Sequence, residues 1–285
     1  MNKKLALIML IPFLFACERN EGSSDISLLY SYSEEDNFNL WNEGRKKAFE
    51  RKDDFYMTGT TETYENDVFK KAKTFFISRK GLSFYEKRFE SEKPRKDDGL
   101  YEASQYNLVC LKEMPVDGEM KYVLHEETYS PTEMQIKSKQ SFVEKDYLDS
   151  EYHAETPKEE FEGMALEGFD TYQEFQTVFQ NNAIAEFGTK AKDLHFERKT
   201  SKTVSFSYSV YLEHKEDDMG SDYLYTAVNF HAEVVASSSF IQSASYEIES
   251  IAKYAEGKEE KETDKATLEL RDSFDENGFN DINVR

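Results

Sequence analysis

The residues best suited to catalysis or metal binding in this chain are its histidines, cysteines and carboxylates. The five histidines are His125, His153, His195, His214 and His231. None of them forms an HExxH pattern or a Cys/His spacing typical of a zinc site. His125 is followed by Glu126 and Glu127, but in a chain with 57 Asp and Glu residues this grouping is expected by chance. We therefore predict no cofactor and no metal ion.

The sequence contains no GxSxG or Walker A pattern, which are motifs of nucleophilic and phosphoryl-transfer catalysis. Acid pairs such as Asp53-Asp54, Asp97-Asp98 and Asp217-Asp218 border predicted turns. A glycosidase requires two carboxylates placed in a cleft, and the sequence does not indicate which two of its many carboxylates would take that place. Cys110 lies in the apolar stretch 107–111 with no histidine near it in sequence, which favours a small buried hydrophobe over a nucleophile. The protein is therefore predicted not to be an enzyme.

The N-terminal segment 1–17 has the pattern of an export signal. Lys3 and Lys4 precede the apolar run Leu5–Phe15, which is too short to span a bilayer. The run leads into Leu14-Phe15-Ala16-Cys17, which resembles the lipobox of bacterial lipoproteins. That resemblance implies cleavage before Cys17 and a diacylglycerol on its sulfur, and two or more acyl chains anchor a protein stably. A plain secretory signal followed by an incidental cysteine is the alternative.

The charge of the chain indicates how it is held at a membrane. It has 36 Lys and Arg residues against 57 Asp and Glu residues, which gives a formal charge of −21. Cleavage after residue 16 would also remove two lysines and make the protein more negative. Nucleic acid and anionic lipid repel such a surface, so neither is a predicted partner of the protein surface. We expect the lipid on Cys17, followed by a polar tether over 17–30, to hold the protein on the cell membrane or outer membrane, facing away from the cytoplasm.

The remainder, 31–285, is predicted to form one domain in two halves, about 31–155 and 160–285, each a helix followed by several strands. Ser33 and Asp36 form a capping box that begins a helix ending near residue 52. Asp170 as N-cap, with Gln173 three residues later, begins a second helix that ends before Gly188. The acidic stretch 150–165 is predicted to be irregular, and the charged stretch Glu256–Asp264 is predicted to be a solvated loop.

Alternating patterns predict strands in both halves. In the first half they are Phe55–Thr63, Lys73–Ser78, Leu82–Glu86, Tyr101–Leu111, Met120–Thr128 and Met134–Phe142, with a tight turn at Pro115–Gly118. In the second half they are Val204–Leu212, Leu224–Val234, Phe240–Ile248 and Ala266–Leu270. The strands of the second half have one apolar face each, which is typical of an antiparallel sheet covered on one side.

This order of elements resembles the LolA/LppX-like group of lipoproteins and lipoprotein carriers. The resemblance covers roughly 31–285 and rests on the element order, the lipobox and the last segments, 229–235, 241–251 and 265–270, with Asp275–Asn280 as a closing turn. It implies an α+β fold, in which helices cover the hydrophobic concave face of a curved antiparallel β half-barrel. It also implies an arginine that gates the helical lid, for which the sequence offers no counterpart.

Six aromatic residues are the candidate ligand-binding residues. They are Phe76, Tyr85, Phe206, Tyr208, Phe230 and Tyr246. They line a cavity if the half-barrel is hollow, and they are packing residues if it is closed. The predicted function is that of a non-enzymatic, membrane-anchored lipoprotein of the cell envelope that binds an apolar or amphipathic ligand, a lipid or an acyl chain. The alternative is an anchored interaction module that holds or neutralises a basic partner protein, to which an acidic chain is complementary.

Overall fold

A computed structural model describes residues 32–51, 54–97, 101–132, 134–144, 156–215, 223–254 and 256–271. Within these ranges the helices are α1 (Glu34–Glu50), α2 (Pro157–Glu162) and α3 (Tyr172–Phe187). The strands are β1 (Phe55–Glu65), β2 (Val68–Lys80), β3 (Ser83–Ser91), β4 (Gln105–Val116), β5 (Glu119–Ser130), β6 (Gln135–Val143), β7 (Lys192–Arg198), β8 (Thr203–Lys215), β9 (Tyr223–Ser237), β10 (Ile241–Tyr254) and β11 (Glu259–Arg271). Cys17, the export signal, the tether 17–30 and the predicted closing turn 275–280 lie outside the described residues.

These strands form one open antiparallel sheet, in the order β6-β5-β4-β3-β2-β1-β11-β10-β9-β8-β7. Each half of the chain contributes a meander, in which strands adjacent in sequence are adjacent in the sheet. The two meanders meet where β1 pairs with β11 along ten residue pairs, from Tyr56↔Arg271 to Glu65↔Glu262. The predicted open antiparallel sheet is therefore confirmed.

Two hairpin turns have the backbone that the twist of the sheet requires. Asn66 and Asp67, between β1 and β2, have φ of 50° and 64°, and Asp117 and Gly118, between β4 and β5, have φ of 54° and 85°. Positive φ at both central residues is typical of a type I′ turn, whose twist matches that of the flanking strands. The predicted turn at Pro115–Gly118 is thus two residues too long, because Pro115 and Val116 belong to β4.

The helix ends follow from side-chain caps. Ser33 and Asp36 form the predicted capping box at the start of α1. The predicted N-cap of α3 is wrong by one residue: Thr171, not Asp170, is the cap, since its Oγ accepts a hydrogen bond from the Glu174 amide at 3.2 Å. The Glu174 carboxylate in turn accepts from the Thr171 amide, so Glu174 replaces Gln173 in the box. Gly188 ends α3 as predicted, with φ of 78°.

Three segments differ from the sequence predictions. Within 150–165, predicted to be irregular, Thr156 caps the short helix α2. Strand β7 was not predicted. Most of Glu256–Asp264, predicted to be a loop, belongs to β11, because its charged side chains pair across strands: Lys261 Nζ lies 2.8 Å from the Glu249 carboxylate, and Lys253 Nζ lies 3.1 Å from that of Glu259.

Helix α1 packs on one face of the sheet, against β7 to β10, and it also contacts α2 and α3. Trp41 is fully buried there and donates a hydrogen bond from its indole N–H to the Val234 carbonyl at 2.9 Å. The backbone of Gly44 lies against the turn between β9 and β10. The buried core lies on this face and continues along it to Met57 of β1 and Leu124 of β5.

Candidate functional site

Four of the six candidate aromatic residues meet in the core of the second meander. Phe206 and Tyr208 are fully buried, and Phe230 and Tyr246 are nearly so. The register explains why: Tyr208 lies opposite Ala232, which lies opposite Tyr246, so these strands present their rings to the same face. Successive ring centroids are 5.5, 5.8 and 5.7 Å apart along the series Phe206, Tyr208, Phe230 and Tyr246. We call this series the ring chain.

Phe76 and Tyr85 do not join the ring chain. On β2 the neighbours Phe75 and Ile77 belong to the core, so Phe76 points to the other face of the sheet and stacks on Phe89, with 6.1 Å between ring centroids. Tyr85 is directly opposite Ser78 and lies on that same other face. The three consecutive residues Phe75, Phe76 and Ile77 are all apolar, so they show no alternation of apolar and polar residues. The sequence therefore did not indicate which of the two phenylalanines would face the core.

Helices and β7 complete the packing around the ring chain. Phe179 of α3 lies 5.0 Å from Tyr208, Trp41 lies 5.1 Å from Phe206, and Phe196 of β7 lies 4.6 Å from Phe206, all measured between ring centroids. The Tyr208 hydroxyl donates to the Met164 carbonyl at 2.7 Å, and burial raises the pKa of this phenol. The two helices were predicted from the sequence, but their meeting at the ring chain depends on the tertiary fold.

A residue that the sequence analysis did not select, Arg45, is buried beside this cluster. It is the one lysine or arginine that is buried among the described residues, with an exposed fraction of 4%. Its Nε donates to Asn42 Oδ1 at 2.7 Å, and its two terminal nitrogens donate to the carbonyls of Leu166 at 2.8 Å and Phe169 at 2.5 Å. Burial lowers its pKa to about 10, so the guanidinium remains charged at neutral pH.

The carbonyls bound by Arg45 belong to residues 163–170, which join α2 to α3 and which we call the connector. Ala165 and Gly168 in it have φ of 57° and 94°. Asn42 Nδ2 also donates to the Asp170 carbonyl at 3.0 Å, and Lys46 forms an exposed ion pair with the Asp170 carboxylate at 3.0 Å. Because α1 is fixed to the sheet through Trp41, its buried side chains Asn42 and Arg45 hold the connector over the ring chain.

Three of the residues considered for catalysis or metal binding, Cys110, His125 and His231, lie in the described part of the sheet. Cys110 is a buried free thiol, and burial raises its pKa to about 11, which opposes formation of a nucleophilic thiolate. His125, opposite it on β5, is buried with its Nε2 3.6 Å from the Glu127 carboxylate. His231 is exposed, as predicted, beside Ser209. Throughout the described ranges, no three His, Cys, Asp or Glu side chains form a group that could hold a metal ion. The helices in these ranges also lack the length and apolar character that a membrane span requires.

No family model and no curated protein matches the chain. The assignment of the site therefore depends on its geometry alone. That geometry consists of a chain of buried rings, a connector packed over it and a buried arginine that holds the connector by its main chain.

Proposed function

We propose that this protein is a membrane-anchored, non-enzymatic lipoprotein of the cell envelope that binds a lipid or an acyl chain between its helices and its sheet. In this proposal the sheet is a LolA/LppX-like half-barrel, and α1, α3 and the connector form a lid over its concave face. The arrangement described above is the closed form. A ligand enters when α3 and the connector move away from α1, and it then lies against the ring chain.

The observation that carries the proposal is the burial of Arg45 beneath the connector. A buried charge is a costly way to hold two elements together, and apolar residues of similar volume often stabilise a fold as well or better. An arginine has a different advantage, because it regains its hydration when the contact opens. In this proposal the hydrogen bonds from Arg45 to the carbonyls of Leu166 and Phe169 break when the lid opens and reform when it closes. Arg45 is therefore our candidate for the lid arginine that the resemblance implies.

Uptake of the apolar dye Nile red tests this role of Arg45. In Arg45→Leu the bonds to the connector are lost, so the lid opens more often and we expect faster dye uptake and a higher plateau of fluorescence than in the wild type. In Arg45→Lys the charge remains but the two-pronged contact is lost, and we expect an intermediate result. Lys46→Met is the matched control, because it removes a neighbouring exposed cation whose ion pair contributes little.

Equal dye uptake by the wild type and both Arg45 variants, with far-UV circular dichroism unchanged, would contradict the proposal. If Arg45→Leu fails to fold, the comparison of Arg45→Lys with Lys46→Met still decides the question.

A second candidate function is the binding of a basic partner protein. The observation that favours it is the close packing of the ring chain with Trp41 and Phe179, which fills the described core, together with the formal charge of −21. Pull-down of envelope proteins at low and high salt distinguishes the two functions. Capture of a basic protein that weakens as salt rises supports this candidate, whereas capture unaffected by salt contradicts an electrostatic contact.

A further inference from the structure

A groove of about 280 Å³ lies on the face of the sheet opposite the helices. Its lining residues are Tyr64, Asp67, Glu247, Lys261, Thr263 and Lys265. Tyr64 is paired with Thr263, and Lys265 is paired with Glu247, so the groove crosses β1, β11 and β10. Ala266 and Leu268 of β11 alternate with these residues and face the core. The groove is therefore separated from the ring chain by the thickness of the sheet.

One wall of the groove is a fixed aromatic ring. The Tyr64 hydroxyl donates to Glu62 Oε2 at 2.9 Å, and the ring of Phe69 packs edge-on against that of Tyr64 at 5.8 Å. Glu62 also accepts a hydrogen bond from Tyr101, which stacks on Phe69 at 6.5 Å. Burial and the neighbouring Glu62 carboxylate raise the pKa of Tyr64 to about 12, so its phenol stays neutral. The wall is thus held in place before any ligand arrives.

The floor and rim of the groove carry polar groups with remaining hydrogen-bonding capacity. Thr263 is only 5% exposed, and it lines the groove beside Lys261 and Lys265. Lys261 Nζ lies 3.2 Å from the Asp67 carboxylate and 2.8 Å from that of Glu249, and Lys265 Nζ lies 3.2 Å from that of Glu247. Each ammonium has three donors and each carboxylate several lone pairs, so these ion pairs are still able to bind a ligand.

The balance of charge restricts the chemistry of that ligand. The carboxylates of Asp67, Glu247 and Glu249 outnumber the ammonium groups of Lys261 and Lys265, which disfavours an anion, while the two ammonium groups disfavour a cation. An apolar ligand would remove water from these ion pairs and give no hydrogen bonds in return. A neutral ligand with many hydroxyls and one apolar face meets every requirement.

We propose that the groove binds a neutral sugar, with the C–H face of its ring on Tyr64 and its hydroxyls bonded to Thr263 and the ion pairs. A volume of about 280 Å³ lies just below the roughly 300–1,000 Å³ of typical ligand pockets, so the groove takes one or two sugar rings. This site is independent of lipid binding, and either proposal stands if the other fails.

Saturation-transfer difference NMR tests the sugar site with four probes: N-acetylglucosamine, chitotriose, glucose and maltotriose. We expect at least one to bind the wild type. Tyr64→Ala abolishes the signal because the stacking wall is lost. Thr263→Val keeps the shape but removes the hydroxyl, and it weakens binding about fivefold. Thr267→Val is the matched control, on the same strand and face but outside the groove, and it leaves binding unchanged. Lys265→Met replaces Thr263→Val if the latter does not fold.

The trimers distinguish the two sources of such a ligand. Tighter binding of a trimer than of its monomer identifies a glycan chain, and equal binding identifies a free sugar. The proposal is overturned if no probe binds the wild type, if inorganic phosphate binds the groove and no sugar does, or if Thr267→Val weakens binding as much as Thr263→Val.

Discussion

Burial acts in opposite ways on Arg45 and Cys110. The pKa of Arg45 falls to about 10, yet the side chain remains a cation at neutral pH because its ordinary pKa is so high. The pKa of Cys110 rises to about 11, which keeps the thiol neutral and in place as a small packing residue. The guanidinium therefore donates charge-assisted hydrogen bonds to the connector, whereas burial keeps the thiol protonated.

Cys110 gives a prediction at this scale, tested in a Cys17→Ser background so that it is the only cysteine. Below pH 9, the ordinary pKa of a thiol, Cys110 is protonated in both the folded and unfolded chain. As the pH rises from 9 towards 11, the unfolded chain loses this proton and the folded chain keeps it, so stability is lost. We expect the free energy of unfolding, from urea titrations, to fall by roughly 1–2 kcal/mol more than in Cys110→Ala. Equal falls in the two proteins would contradict the assigned burial effect.

At the scale of elements, the sequence predicts structure well where a single physical signal acts alone. Val204, Phe206 and Tyr208 alternate with serines, and β8 lies where that alternation predicted it. Glu259–Asp264 has no apolar alternation, because ion pairs with neighbouring strands stabilise it, among them those of Lys261 with Glu249 and with the distant Asp67. The faces of Phe76 and Tyr85, and the meeting of Arg45 with the connector, were equally beyond prediction, since each depends on contacts between distant segments.

The packing of α1 against the sheet can be tested by substitution of Gly44. A Cβ at this position would lie 1.9 Å from the Ser237 carbonyl oxygen and 2.8 Å from that of Phe240, both of them main-chain atoms. Gly44→Ala must therefore displace the helix from the β9–β10 turn, and we expect a loss of about 2–3 kcal/mol in urea denaturation. Gly163→Ala is the control, because a Cβ there has nothing within 4 Å and its φ is −64°. Equal stability of the two variants would show that α1 does not pack as described.

At the scale of the whole molecule, the β1–β11 pairing joins the two meanders into one sheet with two different faces. One face carries the ring chain, the connector and the helices. The other carries the sugar groove, with its floor at Thr263 and its wall at Tyr64. A protein anchored by a lipid near its N-terminus would present both faces to the envelope, and each would bind a ligand of different chemistry.

Anchoring is tested by Cys17→Ser. The variant lacks the sulfur that the lipobox-like sequence marks for acylation, so we expect the protein to move from the membrane fraction to the soluble envelope fraction. We also expect its mass to show no added acyl chains. Cys110→Ser is the control and stays with the membrane. Retention of Cys17→Ser in the membrane fraction would show that the anchor lies elsewhere.

The most direct test of the central claim is native mass spectrometry of the full chain, extracted from membranes in mild detergent. We expect a population heavier than the acylated protein by the mass of one lipid or acyl chain. The share of protein in this population is expected to change in Arg45→Leu and not in Lys46→Met. A single mass for the acylated protein in all three, which persists after incubation with phosphatidylethanolamine and phosphatidylglycerol vesicles, would contradict it.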